Sequence, residues 1–359
     1  MDPRRNPFSP GAGSPPPELA GRDALIERAA VALDRIRDRR AARSIILYGL
    51  RGVGKTVLLG KIRRDAEARG LVTVAIESPE ERSLPALLVS ALRLALIKLS
   101  RTEAAKQGVK RALRAIAGFA KLKTKFGDLE VALDLEPEPG LADSGDLDLD
   151  LAELLGAVGE AAAERETAIV LFIDELQYVP ETQLAALIGA LHAVNQRQLP
   201  VTMVGAGLPQ LLGASGRAKS YAERLFEFVS IDRLDPGAAA EALQRPIERE
   251  GAAIEPDAIA EIVAQTLGYP YFLQEWGKHS WAVADASPIT LADVRQAGIE
   301  ALAELDGSFF RVRFDRLTPG EKRYLRAMAD LGPGPHRSGD IAERLGRKVN
   351  TTAPIRNSL

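Results

Sequence analysis

The sequence contains no cysteine, which excludes disulfides and thiol chemistry and gives no hint of secretion. Histidine is almost as scarce. His192, His279 and His336 are scattered through 359 residues and suggest no metal site. No apolar run is long enough to span a bilayer and no signal peptide is visible, so a cytoplasmic chain without membrane contact is expected. A dominant charge sign is lacking too. The net charge of −2 provides no global field toward nucleic acid or membrane, so any such affinity has to be local. What remains is an ordinary globular composition, 46% hydrophobic and 27% charged, over a length that suggests two or three domains.

The chain is organised around Leu47-Tyr48-Gly49-Leu50-Arg51-Gly52-Val53-Gly54-Lys55-Thr56, in which Gly49, Gly54, Lys55 and Thr56 fit the phosphate-binding pattern G-x-x-x-x-G-K-[ST] (Walker A). The glycines let the backbone wrap closely around phosphate oxygens, so that several N–H groups of Gly49–Val57 (Leu50, Arg51, Gly52 and Val53 among them) point at the anion. Lys55 suits the β- and γ-phosphates of ATP, and the Thr56 hydroxyl is placed for Mg²⁺. The apolar run Ser44–Tyr48 before the loop and the helical pattern from Thr56 after it give the strand–loop–helix context that anion binding requires.

A second apolar run, Ala168-Ile169-Val170-Leu171-Phe172-Ile173, ends in Asp174-Glu175 (Walker B). Such a strand is buried on both faces and carries its acids to the carboxyl edge, where open α/β sheets bind ligands. Asp174 is suited to hold Mg²⁺ and Glu175 to orient or deprotonate an attacking water. With strands at 71–76, at Pro200–Gly207 and at about Glu227–Ile231 alternating with helices, the fold class is α/β: a doubly wound parallel sheet.

Around this core the composition changes. Residues 1–18, crowded with Pro, Gly and Ser, read as a flexible, extended arm. Residues 19–234 form the core, interrupted at about 100–150 by a charged insertion. There a basic block over 98–125 adjoins an acidic block over 128–153, which most simply neutralise each other or are solvated; a nucleic-acid contact is the sharper alternative. Phe126–Leu135 alternates enough for a short hairpin, and Leu141–Asp150 reads as a loop. Residues 235–306 turn helical and form a lid. Residues 307–359 give three short helical patterns, the last two a helix-turn-helix candidate in which Lys348, Asn350, Thr351, Thr352 and Arg356 would face a groove. Pro354 is tolerable there only in a helix's first turn.

These motifs resemble those of AAA+ P-loop ATPases, and more narrowly of bacterial ATP-binding proteins related to the replication-initiator (origin-recognition/Cdc) branch, in which a helical lid and a winged helix follow the core. The resemblance covers about residues 16–359. It implies that Gly21-Arg22 lies against the adenine and that the Val201–Gly207 strand sits between the P-loop strand and the Asp174 strand. It also makes Arg224 similar to the arginine finger that enters a neighbouring subunit's site in a homo-oligomer. Three departures stand out. The fourth strand ends in Gly205-Ala206-Gly207, without the usual polar γ-phosphate sensor. The lid segment Gly268-Tyr269-Pro270-Tyr271 lacks the usual arginine and resembles instead the G-x-P motif of STAND signalling ATPases, with Pro270 near the nucleotide. The winged-helix pattern stops at Leu359 without a wing, an incomplete, apparently truncated module.

Two functions follow from the resemblance. One is a DNA-associated ATPase that needs ATP and Mg²⁺ and contacts double-stranded DNA through 338–359. The other is a STAND-like switch whose tail binds a protein partner and whose hydrolysis is incidental. A small-molecule kinase fits less well, since no acceptor pocket is suggested and two helical modules are additional.

Overall fold

The apolar runs become five strands of one sheet: β1 (Ser44–Tyr48), β2 (Val72–Glu77), β3 (Ile169–Asp174), β4 (Val201–Gly207) and β5 (Phe226–Ser230). All pair in parallel in the order β2-β3-β4-β1-β5. Every residue of β3 and β4 is buried, which is why these segments read as continuous rather than alternating apolar runs. The β4 strand lies between β1 and β3, as the resemblance implied. The computed structural model describes residues 1–11, 13–78, 83–99, 106–122, 136–219 and 222–359.

Helices cover both faces. On one, α1 (Asp23–Arg37) and α2 (Lys55–Ala68) pack Leu25, Leu33, Leu58 and Ile62 against Ile45, Leu47, Val170 and Phe172. On the other, α3 (Leu84–Leu99), α4 (Lys106–Leu122), α5 (Leu147–Glu164) and α6 (Glu181–Gln196) share a core with Ile46, Val74, Leu171 and Met203. Two shorter helices, α7 (Leu211–Ala218) and α8 (Ala222–Leu225), lead into β5.

The charged insertion is partly built into this second core. The basic helix α4 is amphipathic and buries Val109, Ala112, Ala115, Ile116 and Phe119. Its polar side meets acids, Arg111 with Glu160 at 2.6 Å and Arg114 with Glu138 at 3.7 Å. The acidic stretch is not all loop, because α5 starts at Leu147. Asp146 caps it by accepting from the Asp148 and Leu149 amides at 2.9 and 3.3 Å. Asp150, fully buried, accepts from the Ser144 amide, the Ser144 hydroxyl and the Gly145 amide at 2.8–3.0 Å, winding the preceding loop around itself. The hairpin expected at Phe126–Leu135 lies outside the described residues.

The lid comprises α9 (Pro236–Arg249), α10 (Pro256–Thr266), α11 (Pro270–Val283) and α12 (Leu291–Glu304). It holds residues 1–11, part of the 1–18 segment that composition alone predicts to be a flexible, extended arm. Phe8 is only 3% exposed and lies flat on Gly277, where an added Cβ would come within 2.8 Å of its ring. Around it Asn6 donates to the Lys278 carbonyl at 2.9 Å, Trp281 Nε1 donates to the Asp2 carbonyl at 2.9 Å, and Arg5 pairs with Glu250 at 3.1 Å. The ring in its slot, together with these hydrogen bonds and the ion pair, offsets ordering entropy that the Pro/Gly composition alone could not.

After α12 the chain stays helical through a π-type segment, Leu305–Phe310, into α13 (Arg311–Asp315). Then come α14 (Pro319–Ala329), α15 (Ser338–Arg344) and α16 (Val349–Ser358), packed around Tyr324, Ala327 and Ile341. The turn between α15 and α16 is a Schellman motif: Gly346, at φ +63°, donates to Glu343 O at 2.9 Å, and Arg347 to Ala342 O at 2.9 Å. Two expectations fail here. Thr352, 1% exposed, faces the small core rather than a groove, and its hydroxyl donates to the Val349 carbonyl at 2.9 Å. Pro354 is the sixth residue of α16, beyond the first turn, so the Asn350 carbonyl loses its usual amide donor. No wing strand follows among the described residues, and no helix among them is long and apolar enough to cross a membrane.

Replacing Phe8 by Ala is expected to cost about 3 kcal/mol of lid stability and to speed proteolysis within residues 1–20. Denaturant unfolding and timed digestion check this; unchanged digestion would mean that the segment is not held by its ring.

Candidate functional site

The loop between β1 and α2 is held open by backbone that few residues besides glycine tolerate. Gly52 and Gly54 have φ of +88° and +92°. Gly49 is fixed by close approach instead, since a Cβ there would overlap the Ile231 carbonyl. Lys55, the first residue of α2, is 8% exposed, and its ammonium donates to the Gly49 and Leu50 carbonyls at 2.9 and 2.8 Å. Burial pulls its pKa below the ordinary lysine range, an effect opposed by Glu175 and Asp174 and reinforced by Arg51.

The end of β3 faces this lysine. Asp174, 8% exposed, has its pKa raised by burial, against the Thr56 hydroxyl and the Glu175 amide, which both donate to it. The amide contact is 2.8 Å. Glu175 adopts a left-handed conformation, φ +54°, and turns the chain into the short helix Leu176–Tyr178. A buried carboxylate beside a hydroxyl is a hard-oxygen donor set suited to Mg²⁺.

Sequence reasoning missed Gln177. Its amide nitrogen donates to Glu175 Oε2, and its oxygen accepts from the Leu208 amide at 3.0 Å. Gln177 thus ties Glu175 to the end of β4, where the sequence offered no polar side chain. The small residues there have a packing reason: a Cβ on Gly205 would overlap Leu176, and one on Gly207 would come within 2.9 Å of Leu211 and 3.0 Å of Gln177. A polar residue two positions after Asp-Glu was the available signal.

A cavity of about 510 Å³ opens over the loop. Arg51, Gly52, Val53, Gly54, Lys55, Thr56, Val57, Glu175, Arg22 and Pro270 all line it. Gly49, Leu50 and Asp174 stand behind them in the loop and strand; Leu50 is exposed. Gly21, φ +68°, packs against Ala238, and Arg22 donates to the Asp232 carbonyl. Burial lowers the Arg22 pKa, against Asp232 and Asp235. The segment before them also contributes, for Ser9, Pro10, Gly11, Ser14, Pro16 and Glu18 line the same cavity.

The lid grips the loop through the segment containing Pro270. Tyr269 Oη donates to the Arg51 carbonyl, and the Tyr271 amide donates to Gly52 O at 3.2 Å. Arg51 in turn donates to Tyr178 Oη at 2.7 Å. Arg224 does not join this site within its own chain. It lies exposed on α8, beside Arg43 and His192 at the amino edge of the sheet, the edge opposite the loop.

The chain belongs to the AAA ATPase domain family, whose sequence model spans residues 18–204. ATP binding and hydrolysis are thereby supported at the level of the family. A second model, a domain of unknown function (DUF8462), spans residues 307–359. No protein of curated function matches the chain. Among solved structures, a Walker-type ATPase of Pyrococcus abyssi aligns at 18% identity and TM-score 0.54, over 91% of this chain and 84% of that one. The Orc1 protein of Aeropyrum pernix in complex with DNA aligns at 16% identity and TM-score 0.48, over 99% and 86%. The RuvB Holliday junction branch migration motor of Thermotoga maritima aligns at 17% identity and TM-score 0.48, over 93% and 85%. The first of these shares the fold of this chain.

Proposed function

We propose that this chain binds and hydrolyses ATP between its core and lid, and that nucleotide occupancy sets the placement of its C-terminal helices on double-stranded DNA. The observation that supports this best is the gathering of Lys55, Thr56 and Glu175 on one cavity floored by the phosphate loop, with Asp174 bonded to Thr56 behind them. Lys55, now bonded to loop carbonyls, would turn to the β- and γ-phosphates. Thr56 and Asp174 would hold Mg²⁺, which when bound offsets charge on the phosphate oxygens. Glu175, steadied by Gln177, would accept a proton from the water attacking the γ-phosphorus. Arg22 and Pro270 would border the space for the base and ribose, with Gly21 behind them against Ala238.

Lys55→Ala should lose nucleotide binding while remaining folded. Glu175→Gln should bind Mg·ATP and lose turnover by about 10²-fold or more, and Asp174→Asn should lose Mg²⁺ dependence. Calorimetry and phosphate release check all three; intact binding in Lys55→Ala would remove the assignment.

The DNA reading draws support from local charge. Residues 307–359 carry eleven Lys/Arg against five Asp/Glu in a chain whose net charge is −2. Lys348, Asn350, Thr351 and Arg356 are exposed on or beside α16. Duplex binding should therefore be weak and fall steeply with salt, with a log–log slope that shrinks by about two when Lys348 and Arg356 are both replaced by Ala. Retention that ignores salt would favour the STAND-like alternative, a protein partner for these helices.

The position of Arg224, exposed and away from its own site, leaves it free to act on a second copy of the chain, which supports a homo-oligomer. An arginine at the γ-phosphate is worth about 10³–10⁵ in rate in P-loop GTPases. Activity per chain should rise with protein concentration, Arg224→Ala should bind ATP without turnover, and mixing it with Glu175→Gln should restore part of the rate. Concentration-independent turnover without rescue would leave Arg224 a surface residue.

A further inference from the structure

The segment that joins the lid to the C-terminal helices carries an arginine into the cavity that no motif marks. Ser308, Phe309, Val312, Arg313 and Arg316 all line the cavity. Arg313 lies over the Phe309 ring, 3.5 Å from its centroid, and its Nη1 donates to the Phe309 carbonyl. Phe309 stacks on Tyr271, with centroids 5.0 Å apart and planes 24° from parallel. Since the Tyr271 amide is bonded to Gly52 O, the column Arg313–Phe309–Tyr271 stands on the tip of the phosphate loop.

Arg313 stands among other arginines at this cavity, Arg51 and Arg316. Among the described residues it makes no ion pair. Arg313 is itself exposed on the cavity wall; the burial it has lowers its pKa, and Arg51 and Arg316, of the same sign, lower it further against Tyr269 and Tyr271. Three exposed guanidinium groups gathered at one cavity make a cationic wall that favours an anion. The geometry also says which part of a nucleotide that would be. Arg51 is bonded to Tyr178, three residues beyond Glu175, so this wall belongs to the water-activating end of the cavity. Leu19, Ala20, Leu234 and Leu273, which also line the cavity, offer apolar surface suited to a base.

We propose that Arg313 binds the γ-phosphate of the nucleotide held by its own chain, and that this contact positions the C-terminal helices. The proposal rests on the nucleotide site set out above and supplies the arginine that the Pro270 segment lacks. Only Arg316, Leu317 and Thr318 separate α13 from α14, and Thr318 caps α14 by accepting from the Glu321 amide at 3.3 Å. A shift of Arg313 toward or away from phosphate therefore reaches the C-terminal helices through a short, capped connection.

The test measures affinities of the full chain for ADP and for a slowly hydrolysed ATP analogue, together with hydrogen exchange across residues 305–331. Arg313→Gln is expected to weaken the analogue about tenfold or more, the worth of a charge-assisted contact, and to change ADP by less than about twofold. Arg313→Lys keeps the charge without the planar fork and should fall between. The analogue should slow exchange over 311–331 relative to ADP in the unaltered chain and not in Arg313→Gln. Equal losses for both nucleotides, or no loss, overturn the proposal while leaving the nucleotide site standing. Failure of the unaltered chain to bind either nucleotide overturns both.

Discussion

Burying an ammonium and a carboxylate at one edge of a parallel sheet is the constraint on which this structure depends. Lys55 and Asp174 are each 8% exposed, and burial works against the charged form of both. Their partial satisfaction comes from backbone carbonyls on one side and from Thr56 and an amide on the other. That arrangement requires β1 and β3 to end at the same level, which the register through β4 enforces. It also requires a loop that can turn its carbonyls inward, hence the two glycines at positive φ.

The lid is coupled to this edge through backbone as well as side chains. Tyr269 and Tyr271 bond to the loop's own carbonyls, so the loop is gripped where a phosphate would sit. The Leu234 amide donates to Gly268 O at 2.9 Å, and a Cβ on Gly268 would overlap the Leu234 carbonyl. Core and lid therefore meet at two strands of chain, before α9 and before α11, which act as a paired joint.

Much of this was legible because it is local. The loop motif, the apolar run into Asp174-Glu175 and the helix periodicities each declare themselves within about ten residues. What escaped depends on contacts across the chain. The partner of Phe8 is Gly277, and nothing in either neighbourhood names the other. Gln177 works only because β4 lies beside β3, and Arg313 only because the lid folds the π-type segment back over the loop. Thr352 misled for the opposite reason: a hydroxyl satisfied by its own helix's carbonyl can be buried without a partner elsewhere. In the insertion, acids read as neutralised by the basic block or solvated include Asp146 and Asp150, which serve as a cap and a loop anchor, a use that charge counting does not reveal.

The N-terminal segment has a mechanical meaning. Its first eight residues are fastened to the lid, and so is its far end, where Glu18 pairs with Arg245 and Arg249 and Ala20 joins the lid's buried cluster. The stretch between is a bridge with both piers on one body, and Ser9, Pro10, Gly11, Ser14 and Pro16 on it line the cavity. Any change in the lid's angle to the sheet therefore carries this part of the cavity wall with it.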